Sequence, residues 1–579
     1  MSAPWDYRDP LEASLAAQVS AAALMEHVRA IGGLERESGS PGEAQAFDYI
    51  ERALKSCGVE VERREIEAYI SLPLEAFLAL PDGSRVAGLT HSFSTSADAL
   101  QGELVDVGDG RPENLARARG KIALVRGLAS PGKAWALQQA GALGHVHVLM
   151  EHLHNMIVTT VWGTPSPDTA ARIPAIPCLS ILGADGERLR ARLAQGSLRV
   201  ALTTRVRTGW MPIPHLVGEL AGRREDRFVL FSGHVDSWHH GAMDNGSANA
   251  TMLEIARLLA ARRDALGRGI RFAFWSGHSH GRYAGSAWYA DHAWRELHAR
   301  CVLHLNVDST GARGATDYSV LHATEDAQPF AERVVADVTG QRARARRFSR
   351  AGDQSFWGCG VPSAFMSLSG LPRQDTELSR AMERLVGSAG FPWWWHTKDD
   401  TVDKIDADVL TLDTRVYLAT ALRWLNAPVL PLDHGRATAA LLAELEALQA
   451  AAGARFDLGP ALETSRALAE RLRRVGETLA ALPAGVPAAR LEAINRGLLR
   501  LSRVLVPLAY TTGDRFTHDL ALPIAPLAGL QRARELGALD PDSDAFKFAR
   551  AALVRERNRA VHALDSALSL ADELLEQER

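Results

Sequence analysis

Cysteine is scarce: the 579 residues hold four, at positions 57, 178, 301 and 359, none of them in a C-x-x-C pair. That excludes a disulfide-stapled framework and thiolate zinc knuckles, and fits buried thiols in a reducing compartment. There is no basic excess either. Lys and Arg number 65 against 69 Asp and Glu, for a net charge of −4, and no basic stripe stands out, so nucleic acid is not an expected partner. No window approaches the ~18–20 apolar residues of a membrane span. The opening segment MSAPWDYRDPLEASLAA has no positive region followed by an apolar core. Internal repeats and low-complexity tracts are missing too. These absences predict a cytoplasmic globular protein that contacts neither membrane nor nucleic acid.

What is present is ordinary in bulk, with 46% hydrophobic and 23% charged residues. At this length two to four domains are expected. The chain is organised around Phe228 to Ala250, FVLFSGHVDSWHHGAMDNGSANA. An apolar run ends at Ser-Gly, His234 and Asp236 follow, and Asp244 precedes a helix-entry Asn-Gly-Ser. Met252, Ile255, Ala256 and Leu259 then recur at helical spacing. The pattern reads strand, loop, helix, with His234 at the carboxyl end of the strand, where ligands gather in open α/β sheets.

Similar apolar runs at 270–275, 302–307 and 363–367, separated by helical segments, predict a mostly parallel, doubly wound α/β sheet. Residues 69–207 carry short strands with Gly, Asp and Ser turns and read as a β-rich insert. The α/β domain is then 1–68 plus 208–430. After Pro428 the composition shifts to Ala, Leu, Arg and Glu. Leu441, Leu442, Leu445 and Leu448 form one apolar stripe, and Leu553, Val561, Leu564, Leu568 and Leu575 another, which predicts a helical bundle over 431–579.

His234, Asp244, Asp308 and His396 all fall in expected loops, three of them at or near strand ends. Two imidazoles and two carboxylates suit Zn²⁺ or another divalent first-row ion, with Mn, Fe or Co as alternatives, and a shared Asp can bridge a metal pair. Asp236 is placed to hold the His234 ring by its other nitrogen. The alternating His145 and His147 read as strand positions.

GHVDSWHHGAMDNGSANA, FWSGHSHGRYAGS, NVDSTG and WHTKDDTVDKID resemble the M28 zinc aminopeptidase and carboxypeptidase family, in particular its glutamate-carboxypeptidase and transferrin-receptor-like branch. The 69–207 segment, with GKIALVRG, KAWALQQAGALG and IPAIPCLSI, resembles a protease-associated domain. The C-terminal helices look like that branch's dimerisation domain, which implies a homodimer. By this resemblance Asp244 bridges two metals, His234 and Asp308 complete one shell, and His396 sits on the other ion. The sequence departs from the family at W-x-A-E-E-x-G, which supplies a general base and a ligand. Here the string is Trp275-Ser-Gly-His278-Ser279-His280-Gly281. In one register His278 replaces the base and Ser279 the ligand; in the other Ser279 replaces the base and His280 the ligand. Trp395 stands where relatives often carry tyrosine.

The leading expectation is therefore a metal-dependent hydrolase of an amide or other C–N bond in a small or short peptide-like substrate, not an ordinary peptidase. His278 is its general base. Trp395, Arg282 and His240 are candidate substrate contacts, with Arg373 a second candidate carboxylate clamp. The alternatives are a metal-dependent lyase or cyclase, a binding scaffold without catalysis, and a serine hydrolase. The last rests on Gly277-His-Ser279-His-Gly281, which satisfies G-x-S-x-G, and on the order Ser279, Asp308, His396.

Overall fold

A computed structural model describes residues 10–576, except 150, 225 and 389. Its spine is a pair of long strands. β1 (Glu60–Ala79) is followed by β2 (Arg85–Thr90), β3 (Ala97–Asp106), β4 (Ile122–Arg126), β5 (Gly144–Leu149) and β6 (Cys178–Leu182). The chain then returns along β7 (Leu198–Leu220). β1 and β7 pair antiparallel from Glu60↔Glu219 to Ala79↔Ala201. Residues 68/69 and 207/208 therefore lie within continuous strands, almost opposite each other, and the ribbon carries its own small apolar cluster of Ile66, Ala68, Ile70, Leu72 and Ile213.

Beyond the ribbon the sheet continues with β8 (Phe228–His234), β9 (Gly269–Trp275) and β10 (Cys301–Asn306). A separate two-stranded pair, β11 (Val320–His322) and β12 (Arg344–Arg346), intervenes before β13 (Ser363–Ala364). The eleven-stranded order is β1-β2-β6-β5-β4-β3-β7-β9-β8-β10-β13. β9, β8, β10 and β13 are mutually parallel. β8, β9 and β10 are buried along their whole length, which is why they read as unbroken apolar runs. Expected and observed ends agree to within one residue for β9 and β10, whereas β8 runs three residues past the apolar run 228–231 to His234 and the last strand stops at Ala364 rather than Ser367.

On the other side of the ribbon, β3–β4–β5–β6 are also parallel. Leu78, Leu104, Ile122, Leu124, Val146, Val148, Leu179 and Ile181 form a core there, separate from the main one. Downstream, four long helices span His434–Ala452, Gly459–Ala480, Ala488–Tyr510 and Asp544–Glu576. Leu441, Leu445, Leu448, Leu553 and Leu564 are buried, and Leu442, Val561, Leu568 and Leu575 flank them half-buried, as helical spacing requires. The buried Arg503 guanidinium ties these helices to the sheet by donating to the carbonyls of Leu297, His298, Cys301 and Gly360. Among the described residues no helix is long and apolar enough to cross a membrane.

Candidate functional site

The carboxyl ends of β8 and β10 and the loop after β9 converge on one point. His234 is the last residue of β8, and its Nδ1 donates to the Asp236 carbonyl (2.8 Å). A carbonyl only accepts, so that nitrogen carries the proton and the Nε2 lone pair faces outward. Facing it are Asp244 Oδ1 at 3.1 Å and Asp308 Oδ2 at 3.6 Å. The other oxygen of Asp244 lies 3.1 Å from His396 Nε2. The His396 Nδ1 in turn donates to the Asn155 carbonyl (2.7 Å). Two imidazole lone pairs thus face carboxylate oxygens, which is repulsive unless a positive charge lies between them.

The electrostatics say the same. Burial alone would lower the His234 pKa, yet Asp244 and Asp308 override it and hold the ring well above its ordinary value. Burial would raise Asp244, and His234 and His396 hold it well below the usual carboxylate range. A proton or a metal cation satisfies this geometry. His234 Nε2 is buried without a hydrogen-bond partner, and the donor set of imidazole and carboxylate is that of zinc and its neighbours. The residues fit a bound divalent ion.

The scaffold is specific. Asn245 donates to the Val307 carbonyl (3.2 Å) and accepts from Ser309 N–H (3.0 Å), bracing the Asp308 turn against the Asp244 loop. Asn249, at the start of the following helix, donates to the His234 carbonyl (2.8 Å). Gly241 has φ +49°, and a Cβ there would meet the Asp244 carbonyl oxygen at 2.1 Å, so no larger residue fits this loop. Left-handed backbone at His239, Arg282, Tyr283, Ser309 and His396 clusters around the same point, as strain does at functional sites.

His278 joins this centre. Its ligand nitrogen lies within 4.8 Å of those of His234 and Asp308. Its Nδ1 donates to Asp353 Oδ2 (2.8 Å), and Asp353 also accepts from Ser286 (2.8 Å). The His278 and His234 rings stack at 3.7 Å with 16° between their planes. Lone pairs lie in the ring planes, and two nearly parallel planes share no nearby point. His278 is therefore placed beside an ion held by His234 rather than in line to bind the same one.

Asp236 acts through the backbone: it accepts from the N–H groups of His278 (3.1 Å) and Ser279 (2.8 Å) and from Ser38 Oγ (2.8 Å). The His234 Nδ1 proton goes to its carbonyl oxygen, while the Asp236 carboxylate stands 3.8 Å away. His280 does not fall into the His234–His278–Asp308 group. It is buried with Nδ1 near Ser38 Oγ (3.1 Å) and Asp236 Oδ2 (3.7 Å), and its Nε2 has no hydrogen-bond partner. Ser279 is buried, but His396 is engaged by Asp244 and Asn155, and Asp308 by His234 and Ser309, so Ser279, Asp308 and His396 form no hydrogen-bonded chain. Trp395 stacks on His396 at 3.4 Å. Arg282 lies over Tyr283, whose ring abuts His278, and its Nε is buried without a partner. His240 is half-buried near Glu35, and Arg373 is exposed.

Sequence reading missed Arg36, Ser38, Asn155 and Asp400. Arg36 is buried and donates to the carbonyls of Ile31, Leu34, Val235, His240 and Gly241, and burial lowers its pKa to about 10. Asp400 accepts from Met243 and Asp244 N–H (2.9 and 3.0 Å), and burial raises its pKa to about 7. Asp400 lies inside the WHTKDDTVDKID string, four residues after His396; Arg36 and Ser38 sit in a turn that gives no such signal.

Residues 215–421 match the model of peptidase family M28. A maize (Zea mays) protein described as "Probable glutamate carboxypeptidase VP8" is 26% identical over 74% of this chain and 70% of its own. "Leucine aminopeptidase 2" of Trichophyton equinum is 27% identical over 48% of this chain, which spans about half (55%) of that relative's length. Among solved structures, a peptidase M28 precursor from Shewanella amazonensis superposes with a TM-score of 0.56 at 21% identity, covering 72% of this chain and 97% of its own. A zinc aminopeptidase from Bacillus subtilis gives 0.53 at 20%, covering 71% and 96%. Residues 215–421 thus carry a peptidase family M28 domain, and the solved structures share its fold.

Proposed function

We propose that this protein is a metal-dependent hydrolase of an amide or related C–N bond in a small, peptide-like substrate, with Zn²⁺ as the expected ion. The observation that carries this reading is the pair of fixed imidazole lone pairs, on His234 and His396, aimed at the two oxygens of Asp244. His234, Asp244 and Asp308 would hold the ion, and Asp244 would share it with a second position beside His396. At that second position the family's glutamate is absent; His280 is the nearest replacement in the sequence, but its Nδ1 accepts from Ser38 N–H (3.3 Å), so its Nε2 carries the proton. What the bound ion supplies is Lewis acidity, lowering the pKa of water and polarising a carbonyl.

His278 takes the proton at Nε2, because Asp353 fixes the other proton on Nδ1 and keeps the ring in that tautomer. Asp236 holds the backbone of 278 and 279 in place. Arg282, with an unpaired buried Nε, is the group to meet a substrate carboxylate, and Trp395 and His240 line the approach. A histidine base in place of a glutamate argues for a substrate other than that of an ordinary aminopeptidase.

The test is a panel of N-acyl amino acids and dipeptides assayed with the zinc-loaded protein and with His278→Ala. Hydrolysis lost in the variant at unchanged metal content supports the assignment. Equal turnover by both defeats it. Tight zinc binding with no hydrolysis of any member would favour the lyase or cyclase reading, and labelling by a fluorophosphonate probe lost in Ser279→Ala would favour a serine nucleophile.

The same reading takes 69–207 as a protease-associated insert, 1–68 with 208–430 as the catalytic domain, and 431–579 as a helical bundle through which two copies pair, in a reducing, cytoplasmic setting. The insert's Asn155 carbonyl on His396 supports a share in the site for that segment.

A further inference from the structure

A second group of metal-competent side chains lies inside the sheet on the far side of the β1–β7 ribbon. His145 and His147 are two residues apart on β5 and so share a face. Cys178, on the adjacent β6, is the register partner of His145. All three are buried, and one ligand atom from each lies within 4.8 Å of the others. Carbonyl chemistry fixes the protons. Gly127 O accepts from His147 Nδ1 (3.0 Å), so His147 Nε2 bears a lone pair. That lone pair accepts from His145 Nδ1 (3.0 Å), which leaves the lone pair of His145 on Nε2. His145 Nε2 is buried with no hydrogen-bond partner. A buried acceptor left unmatched is destabilising unless a donor or a cation meets it. The neighbouring His91 cannot relieve it: its Nδ1 accepts from Met156 N–H (3.2 Å) and its Nε2 meets Ser180 Oγ (2.7 Å).

We infer that His145, His147 and Cys178 bind a soft, thiolate-preferring metal ion, Cu⁺ or Zn²⁺, within the inserted sheet. Both imidazoles are in the neutral form that ligates metals, since burial lowers His145 to about 4 and His147 well below its ordinary value. Burial pushes the Cys178 thiol well above its ordinary value, so the thiol keeps its proton until an ion displaces it. On binding, the His145–His147 hydrogen bond opens so that the His147 Nε2 lone pair turns to the ion, the S–H proton leaves to solvent and a sulfur–metal bond forms. Charge favours Cu⁺. One thiolate neutralises it, whereas Zn²⁺ would leave a net buried charge and seeks a fourth ligand. Among the described residues no carboxylate is hydrogen-bonded to the cluster, and Lys133 adds positive charge near His147. An ion here would brace β5, which runs into the loop whose Asn155 holds His396.

The test uses the full chain, stripped of metal under anaerobic conditions. Cu⁺ is added in competition with a chromophoric Cu⁺ chelator. In a parallel arm Co²⁺ stands in for zinc, and thiolate-to-cobalt charge transfer is read in the near ultraviolet. Wild type and Asp244→Ala should each retain about one Cu⁺, or show the sulfur–cobalt band if the site takes divalent ions. Cys178→Ser should lose both signals. Since Asp244→Ala removes the proposed catalytic ion, failure of that reading and of this one are separable. His145→Gln and X-ray absorption of the copper-loaded wild type, which should show sulfur in the first shell, guard against misfolding of the cysteine variant. Absence of both signals in wild type, or their persistence in Cys178→Ser, overturns the proposal.

Discussion

At the ends of β8 and β10, imidazole faces carboxylate; inside β5 and β6, imidazole faces imidazole and thiol. In the first cluster Asp244 and Asp308 draw positive charge onto His234 and raise its pKa. In the second, burial goes unopposed by any carboxylate, and His145 stays neutral down to about pH 4. Position along the strand makes the difference. A carboxyl end receives loops, and loops bring acids, water and substrate, whereas His145, His147 and Cys178 lie on β5 and β6, each sealed by a strand on either side. The same residue type therefore serves hydrolysis at one place and offers a closed, soft-ion pocket at the other.

The contrast breaks most severely if Asp244 proves dispensable. Asp244→Ala should lower kcat/KM by about three orders of magnitude, the scale of several kcal/mol of transition-state stabilisation. The check is steady-state kinetics on whichever substrate the panel identifies, with circular dichroism showing an intact fold. Removing the proposed base, His278→Ala, should cost about 10²- to 10⁴-fold in kcat without loss of the ion. An equal loss of metal would make His278 a ligand. The Asp353→Asn change spoils the tautomer of His278 and should cost about ten- to a hundredfold in kcat at unchanged metal content.

Much of this arrangement was legible in the chain. β8, β9 and β10 are buried on both faces, so they stand out as apolar runs, and chemistry-bearing residues after such runs are easy to list. Asp244 and His396 could be paired because the motifs that carry them resemble those of the M28 family. The ribbon was harder: Pro73, Gly209, Pro212 and Pro214 interrupt the pattern of β1 and β7, yet a bulge between Pro73 and Glu75 absorbs the first and pairing continues to Ala79. Least legible were contacts made by backbone atoms or over long chain separations. The Asn155 carbonyl on His396 leaves no trace in residue type, and Arg36 reaches Val235 O across 199 residues.

The smallest expected effect concerns stability, and it probes buried histidines outside both clusters. His215 and His304 are held near pKa 3 by burial, against 6.5 in the unfolded chain. The unfolded state thus takes up their protons first. Stability should be full above about pH 6.5 and fall as pH drops towards 3, by up to about 1.4 kcal/mol per pH unit for each ring. Thermal denaturation of wild type and His304→Gln between pH 7 and 5 checks this, with a shallower slope expected in the variant. Identical slopes would mean the ring is not held neutral.

The central claim is that Asp244 joins His234 and His396 around a bound cation. Its most direct test is the metal content per chain, by inductively coupled plasma mass spectrometry, of wild type and Asp244→Ala in a Cys178→Ser background after dialysis against sub-stoichiometric chelator. The account predicts zinc retained by the parent and lost from the Asp244 variant. Equal zinc in both, or none in the parent, would contradict it.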